Sequence, residues 1–291
     1  MCLRAEKPIG DKLLETSSVN NSSLPLMITI EEAAALVHDG MTLALGGLTL
    51  YRRPVSFVRS LLRRNPRPRQ LKLLSFTAGY ESDLLVGAGC VDTIRTVYFG
   101  LEAFGLAPMF TEVAAKDDIH ICEETEASIA MGLRAQASGV GFMPSHAWIG
   151  TDLFQLRPDI RTITDPYTGE TLTAFPAIPI DVAVLHGLEG DRHGNVKLNN
   201  NAGVDLDLVF AARLTIATVE RIVDQVERSA DGVVIPAPGV THIVEAQHGA
   251  YPTSCHPLYP VGGGELLRYT ESCNSGEFEV YLANWLSSES E

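Results

Sequence analysis

The sequence predicts an α/β protein: an open, mostly parallel sheet with helices on both faces. Short apolar runs alternate with helix-like segments along most of the 291-residue chain, and this alternation is typical of parallel strands joined by helical crossovers. Several apolar runs end in glycine, which suits tight turns between a strand and a helix. The stretch 165–170 has turn composition between two strand-like segments, and it predicts a small antiparallel hairpin insertion.

The elements follow in chain order from Thr29, where Thr-Ile-Glu-Glu has capping-box form and starts a helix that runs to His38. The apolar run 43–45 lies between Asp-Gly and Gly-Gly and predicts a buried strand. Pro54 then suits the first residue of a helix that reaches about residue 64. The later predicted elements continue the alternation: strands at 71–76, 95–99, 119–122, 181–186 and 214–219, and helices at 81–88, 125–138 and 205–212.

Composition predicts one soluble domain. Residues 1–26 lack an apolar signal-peptide core and include a Ser/Asn-rich stretch, so we expect a disordered extension. The domain is expected to span 27–285, with a flexible tail at 286–291. The five cysteines form no CxxC pair, which favours a reducing compartment and makes the cytoplasm the expected location.

The formal net charge of −14 argues against a nucleic-acid partner, because phosphate backbones require a basic surface. The one dense basic run contains five arginines between Arg59 and Arg69. Two interpretations stay open for this run: a solvated helix face, or a contact with a phosphate or a partner subunit.

Ligands of parallel sheets collect outside the carboxyl ends of the strands. This rule predicts a crevice whose rim comes from the turns after three neighbouring strands. The rim residues expected to bind substrate are Gly46, Gly47, Thr77, Ala78, Gly79 and Gly100. The alternative is that these glycines only permit tight turns. No histidine spacing fits a metal site, and the chain has neither a Gly-x-Ser-x-Gly elbow nor a P-loop.

The segment 39–54 resembles the first signature of the family I coenzyme A transferases in their alpha subunit: Asp-Gly, an apolar strand, Gly-Gly, a short spacer and Pro. Leu48 replaces the usual Phe, and Arg52 stands where many members have Gly. The arginine variant is similar to the alpha-subunit branch of the glutaconate CoA-transferases. The run 98–110, with Gly-Leu-Glu-x-Phe-Gly-Leu-Ala-Pro, and the run 249–253 also resemble that branch.

The resemblance implies that further side chains belong to the active site. Glu102 and Phe104 belong to the aromatic, Gly-rich run, which is either an active-site wall or a packed loop at a subunit interface. Glu126 begins a predicted helix where family members commonly carry an acidic residue, and it is the catalytic candidate of this chain. Helix-dipole stabilisation alone could also explain a carboxylate there. At least one of Arg52 and Arg53 is expected to point into the crevice, where its guanidinium would bind a distal substrate carboxylate. The alternative is a contact with the beta subunit or with CoA phosphates.

The resemblance implies a heteromeric enzyme, in the family commonly α2β2, that transfers CoA between an acyl-CoA and a small mono- or dicarboxylate. Its covalent catalysis uses a glutamate nucleophile, which in two-chain members lies in a Glu-Asn-Gly-type motif of the homologous beta subunit. This chain contains no Glu-Asn-Gly, so it is expected to be inactive alone. No bound cofactor is expected, since coenzyme A thioester is the substrate. The alternatives are a hydrolase, ring-opening enzyme or decarboxylase of the same fold, and a lone ligand-binding protein.

Overall fold

The structure, a computed structural model, describes residues 25–288. Two sheets carry the strands of this range. The strands are β1 (Leu26–Met27), β2 (Thr42–Leu45), β3 (Leu71–Ala78), β4 (Val91–Phe99), β5 (His120–Glu123), β6 (Phe142–Ser145), β7 (Arg161–Thr164), β8 (Thr171–Pro176), β9 (Ile180–Asp191), β10 (Val196–Asn199), β11 (Ala212–Val223), β12 (Gly232–Ile235) and β13 (His242–Glu245).

Helices connect the strands and close the chain. They are α1 (Ile30–Ala35), α2 (Val55–Arg63), α3 (Tyr80–Gly87), α4 (Pro108–Ala115), α5 (Glu126–Ala137), α6 (Leu153–Leu156), α7 (Asp205–Ala211), α8 (Gly263–Asn274) and α9 (Phe278–Ser287). None of the helices within residues 25–288 combines the length and apolar character needed to span a membrane.

The large sheet has the strand order β1-β13-β11-β9-β2-β3-β4-β5, and every pair along this path is parallel. Successive residues of a strand face opposite sides, and β2 shows the result. Leu43 and Leu45 join a core with α1, α2, α3, α8 and α9, whereas Ala44 faces a second core under α5 and α7. The predicted parallel sheet with helices on both faces is therefore confirmed.

The predicted elements are present, with some differences in length: β4 begins earlier, at Val91, and α1 ends earlier, at Ala35. Strands β9 and β11 extend beyond their predicted ends, to Asp191 and Val223. The capping box is present: Glu32 N donates to Thr29 Oγ1 at 3.2 Å, and Thr29 N donates to Glu32 Oε2 at 2.8 Å. Pro54 precedes α2 as its N-cap rather than starting it. Helix α9 runs through Ser287, two residues into the predicted tail, while residues 1–24 and 289–291 lie outside the described range.

The inserted hairpin consists of β7 and β8, which pair antiparallel. Asp165 Oδ1 accepts the Tyr167 amide in the connecting turn at 2.8 Å, as its composition predicts. The insertion contains a third strand, β6, paired antiparallel with β8. Trp148 anchors this small sheet, because its indole Nε1 donates to Thr125 Oγ1 at 2.8 Å beside the start of α5.

Candidate active site

The three predicted glycine turns lie at one edge, because β2, β3 and β4 are neighbours in the sheet. Hydrogen bonds join the turns to one another. The Thr49 amide donates to Thr77 Oγ1 at 2.9 Å, and the Gly100 amide donates to Ala78 O at 3.2 Å. The carboxyl edge of the sheet thus carries a continuous rim, as the sequence predicts.

The segment after β13 adds a second wall to this rim. The Ser254 amide donates to Leu50 O at 2.8 Å, and the Arg52 amide donates to Ser254 O at 2.7 Å. The Ser56 amide, in the first turn of α2, donates to Gly249 O at 2.8 Å. This segment therefore packs directly on the loop that follows β2.

Internal packing already requires glycine in the rim. Gly47 has a φ of +81°, and a Cβ there would lie 2.6 Å from the carbonyl oxygens of both Tyr51 and Arg52. A Cβ at Gly46 would lie 2.6 Å from Asp205 Oδ1, and one at Gly79 would collide with the carbonyl oxygen of Thr49. These close contacts within the chain account for glycine without a bound ligand, which supports the tight-turn alternative.

The structure encloses Arg52 inside the protein. Its side chain is fully buried, and Nη2 lies 2.9 Å from Asp205 Oδ2. Nε donates to Asn199 Oδ1 at 3.0 Å, and Nη1 donates to His186 O at 2.9 Å. The backbone of Arg52 has a φ of +51°, a strained value for a residue with a side chain.

Arg53 is buried in the same way on the other side of the loop. Its Nε and Nη2 both donate to Glu81 Oε1, at 2.9 and 2.5 Å. Nη1 donates to the carbonyl oxygens of Gly47 and Thr77, and Nη2 also donates to Ser75 Oγ. Glu81 is fully buried as well.

These contacts correct the predicted role of the two arginines. A substrate carboxylate would need an accessible guanidinium, but both guanidinium groups are enclosed and bonded to partners within the chain. A buried cation requires such compensation, since an unpaired charge in the interior is very costly. The sequence predicts only that Arg52 and Arg53 lie on a loop. It does not show that Asp205 and Glu81 are their partners, because these residues are distant in sequence.

The loop after β4 forms the third part of the rim. Residues Glu102–Phe104 make a single 3-10 turn, and Glu102 is exposed with a φ of +54°. The Phe104 ring packs against Gly263: a Cβ added at Gly263 would lie 3.2 Å from the ring. Phe104 therefore packs between the loop and α8, while the Glu102 carboxylate remains accessible.

Two glutamates after β5 have different environments. Glu124 is buried, and its Oε1 lies 2.6 Å from Arg157 Nη1 and 3.2 Å from Arg95 Nη1. Burial acts to lower the pKa of Arg157, but Asp159 and Glu124 reverse this effect and raise it above its usual value. Glu126, the candidate of the sequence analysis, is exposed at the start of α5. Glu124 thus holds a structural ion pair, and Glu126 stays accessible.

A buried polar network lies behind the rim, on the neighbouring strands β9 and β11. His186 Nε2 lies 2.7 Å from Glu220 Oε1, and His186 Nδ1 lies 2.9 Å from Thr218 Oγ1. The hydroxyl of Tyr259 also donates to Glu220 Oε1, and the His248 amide donates to Oε2 at 2.8 Å. The network therefore fixes the segment after β13 to the sheet.

The protonation state of the network follows from its contacts. Burial lowers the pKa of His186 and favours the neutral ring. Burial would raise the pKa of Glu220, but hydrogen bonds from His186, Tyr259 and the His248 amide bring it below its usual value. A neutral histidine can then donate from Nε2 to an ionised Glu220 and accept from Thr218 at Nδ1.

Within residues 25–288, one set of side chains could converge on a metal ion: His186, Glu220 and Cys255. The histidine and the carboxylate are already at hydrogen-bonding distance from each other. Burial raises the pKa of the Cys255 thiol to about 12, so the thiolate that binds metals best is disfavoured. These contacts describe a closed structural network.

The loop 191–195 is structural, as its turn chemistry suggests. Asp191 Oδ1 accepts the amides of His193 and Asn195 at 2.9 and 3.1 Å, and Oδ2 accepts the Val226 amide at 3.0 Å. The loop joins the antiparallel strands β9 and β10. It therefore stabilises an extension of the sheet rather than the rim.

Comparison with known proteins agrees with this architecture. The family described as Coenzyme A transferase matches residues 27–246. The chain belongs to the coenzyme A transferase family. It is 32% identical to a 3-oxoadipate CoA-transferase subunit of Pseudomonas knackmussii, over 80% of this chain and 83% of that protein. It is 30% identical to the Cholesterol ring-cleaving hydrolase IpdA subunit of Rhodococcus jostii, over 89% and 91% of the two chains.

Two solved structures share the fold closely. Glutaconate coenzyme A-transferase from Acidaminococcus fermentans superposes with a TM-score of 0.81 and 26% identity, covering 89% of this chain and 88% of its own. The decarboxylase AibA/AibB C56S variant gives a TM-score of 0.84 and 29% identity, covering 92% of this chain and all of that chain. Members named as transferase, hydrolase and decarboxylase are therefore similar to this protein.

Proposed function

We propose that this chain is the alpha subunit of a heteromeric CoA transferase that moves CoA between an acyl-CoA and a small mono- or dicarboxylate. The observation that carries the proposal is a complete family fold in a chain without a Glu-Asn-Gly sequence. A homologous beta subunit would supply the nucleophilic glutamate, and the chain alone would be inactive. The assembly would be α2β2. The scattered cysteines support a cytoplasmic location, because those within residues 25–288 form no disulfide with one another.

In this proposal the rim binds the thioester side of the substrate. Gly46, Gly47, Ala78 and Gly79 are buried, so they fix the shape of the rim, and the substrate and the partner chain would contact the exposed loops beside them. Glu102 and Glu126 are the exposed carboxylates of the loops after β4 and β5. We assign to Glu126 a contact with the reacting acyl group, and to Glu102 and Phe104 the adjacent wall.

Arg52 and Arg53 have a different task in this proposal. Their two buried ion pairs hold the loop 46–54 rigid from both sides. They therefore shape the substrate-binding rim without contacting the substrate. This chain then offers no arginine of that loop to a distal carboxylate, and a preference for a glutaconate-like diacid would have to come from other residues.

The second candidate function is a hydrolase, ring-opening enzyme or decarboxylase of acyl-CoA substrates. The similarity to proteins named as a ring-cleaving hydrolase and a decarboxylase favours it. In such an enzyme the partner chain would lack the nucleophile, and the accessible carboxylates of this chain would perform proton transfer. A lone ligand-binding protein is the remote alternative, and it predicts a stable, self-sufficient monomer.

Co-expression with a homologous beta chain would test the proposal. We expect a heteromer by light scattering and CoA transfer from acetyl-CoA or succinyl-CoA to a panel of mono- and dicarboxylates. A covalent enzyme–CoA thioester, trapped by borohydride reduction at a beta-chain glutamate, would identify the transferase. Thioester hydrolysis or CO₂ release without an acceptor would favour the second function. Activity of the chain purified alone would contradict both heteromeric proposals.

A further inference from the structure

An open cavity of about 930 Å³ lies at the edge of the sheet opposite the rim. Its walls are the segment after α2, the turn before β4 and the end of α9. Four arginines line it, namely Arg63, Arg64, Arg67 and Arg69, and no aspartate or glutamate of residues 25–288 does. Such a concentration of positive charge is unusual in a chain whose net charge is −14.

Part of this charge has a structural role that the sequence did not predict. Arg64 Nη1 donates to the carbonyl oxygens of Ala34 and Val37, at the end of α1. Arg67 Nε donates to Leu62 O at 2.7 Å, near the end of α2. Arg63 donates to Leu286 O and Ser288 O, at the end of α9. The C-termini of α1, α2 and α9 carry partial negative charge, and arginines of this cavity cap them.

The helix C-termini do not neutralise all of the positive charge of the four arginines. A helix C-terminus carries roughly half a negative charge. With the end of α3, whose Ala88 and Gly89 also line the cavity, four C-termini offset roughly two of the four arginine charges. Asp39 lies beside the cavity, where its Oδ1 accepts the Arg69 amide at 2.8 Å. Even with that carboxylate, an excess of roughly one positive charge remains.

The arginines also keep free hydrogen-bond donors. A guanidinium has five N–H donors, yet toward the described residues Arg67 uses only Nε, which donates to a carbonyl oxygen. Among the contacts of residues 25–288, the guanidinium of Arg69 has no hydrogen-bond or salt-bridge partner, and its side chain is exposed. Guanidinium groups bind phosphate oxygens in pairs of parallel hydrogen bonds.

We propose that this cavity, defined by Arg63, Arg64, Arg67 and Arg69, is a second binding site that takes a small anion with two or more phosphate groups. Its volume is that of small-molecule sites. It opens at the amino ends of β3 and β4, so it is separate from the rim where the acyl-CoA is proposed to bind. The cavity-lining thiol of Cys90 has a pKa raised to about 11 by burial. The site therefore offers anion binding without a reactive nucleophile.

Isothermal titration of the full chain, alone and in complex with the beta chain, with inorganic pyrophosphate at low ionic strength would test the site. Arg69→Met removes a guanidinium that makes no hydrogen bond or salt bridge within residues 25–288. We therefore expect this variant to weaken pyrophosphate binding at least fivefold and to leave the melting temperature unchanged. Arg67→Met should weaken binding similarly. Arg213→Met is the matched control, because that arginine is 83% exposed and does not line the cavity. It should change the affinity less than twofold.

Several results would overturn the proposal. One is the absence of binding at millimolar pyrophosphate. Another is an equal loss of pyrophosphate affinity in Arg69→Met and Arg213→Met, which would show a general charge effect. Displacement of pyrophosphate by CoA with an affinity that Arg69→Met leaves unchanged would assign the anion to the acyl-CoA site. Binding that appears only after removal of residues 289–291, which include Glu289 and Glu291, would make the acidic tail the natural occupant.

Discussion

Arg52 and Asp205 form a fully buried ion pair, with Nη2 2.9 Å from Oδ2, between the loop after β2 and the first residue of α7. The second oxygen of the same carboxylate accepts the Gly47 amide at 2.8 Å. One aspartate thus holds both the glycine turn and the arginine that follows it. Residues 153 positions apart in sequence thereby determine the shape of the rim.

The first prediction concerns this pair. Arg52→Met leaves Asp205 as an uncompensated buried charge, so we expect a loss of about 3–5 kcal/mol in the free energy of unfolding. Arg52→Met combined with Asp205→Leu should recover a substantial part of that loss. Urea denaturation of each variant measures the effect, with Arg213→Met as the exposed control. Additive losses in the double variant would show that the two side chains are not coupled.

The role of these arginines marks the limit of sequence reasoning. Periodicity and turn composition predicted the parallel sheet and the glycine turns, because both patterns depend on nearby residues. The partners of Arg52 and Arg53 come from α7 and α3, and their burial depends on tertiary packing. Antiparallel β12 and helices α8 and α9 were also missed. The i, i+3 spacing of Leu266 and Tyr269 in α8, and of Phe278 and Tyr281 in α9, does carry a helical signal.

Gly47 provides a second prediction, about the turn itself. Gly47→Ala should cost at least about 3 kcal/mol of unfolding free energy, since it combines a φ of +81° with carbonyl oxygens 2.6 Å from the new Cβ. Gly40→Ala is the matched control, because Gly40 has a φ of +74° with nothing within 4 Å of a Cβ. Its cost should be only about 1 kcal/mol. Equal costs for both variants, measured by denaturation, would show that backbone conformation alone requires glycine at 47.

Asp83 gives a pH-dependent prediction. Burial raises its pKa to about 6, although hydrogen bonds from Tyr269 and the amides of Phe110 and Met109 oppose the shift. A carboxyl group with a raised folded-state pKa stabilises the fold fully below its unfolded pKa near 3.8, and this stabilisation is lost as pH rises through 6. The full change corresponds to about 3 kcal/mol.

Asp83→Asn removes this titration and isolates it from the other carboxylates. The unfolding free energy of the native chain minus that of Asp83→Asn should fall between pH 4 and pH 7, by about 2–3 kcal/mol. Chemical denaturation at four or five pH values in that window would measure the difference. A difference that stays constant with pH, or that grows as pH rises, would contradict the raised pKa.

The last prediction concerns the accessible carboxylates of the rim. Glu126→Gln removes the charge of an exposed side chain at the start of α5, so the fold should be unaffected and its melting temperature unchanged. In the complex with the beta chain, a lost charged contact to the reacting acyl group should lower kcat/KM about tenfold. Glu123→Gln is the control, since Glu123 is also exposed and carries the same charge three residues earlier. It should change kcat/KM less than twofold, and equal losses in the two variants would remove Glu126 from the site.

Glu102→Gln tests the second exposed carboxylate of the rim, which lies in the strained turn after β4. If either Glu102→Gln or Glu126→Gln lowers kcat more than a thousandfold, a carboxylate of this chain performs the chemistry itself, and the hydrolase or decarboxylase function replaces the transferase.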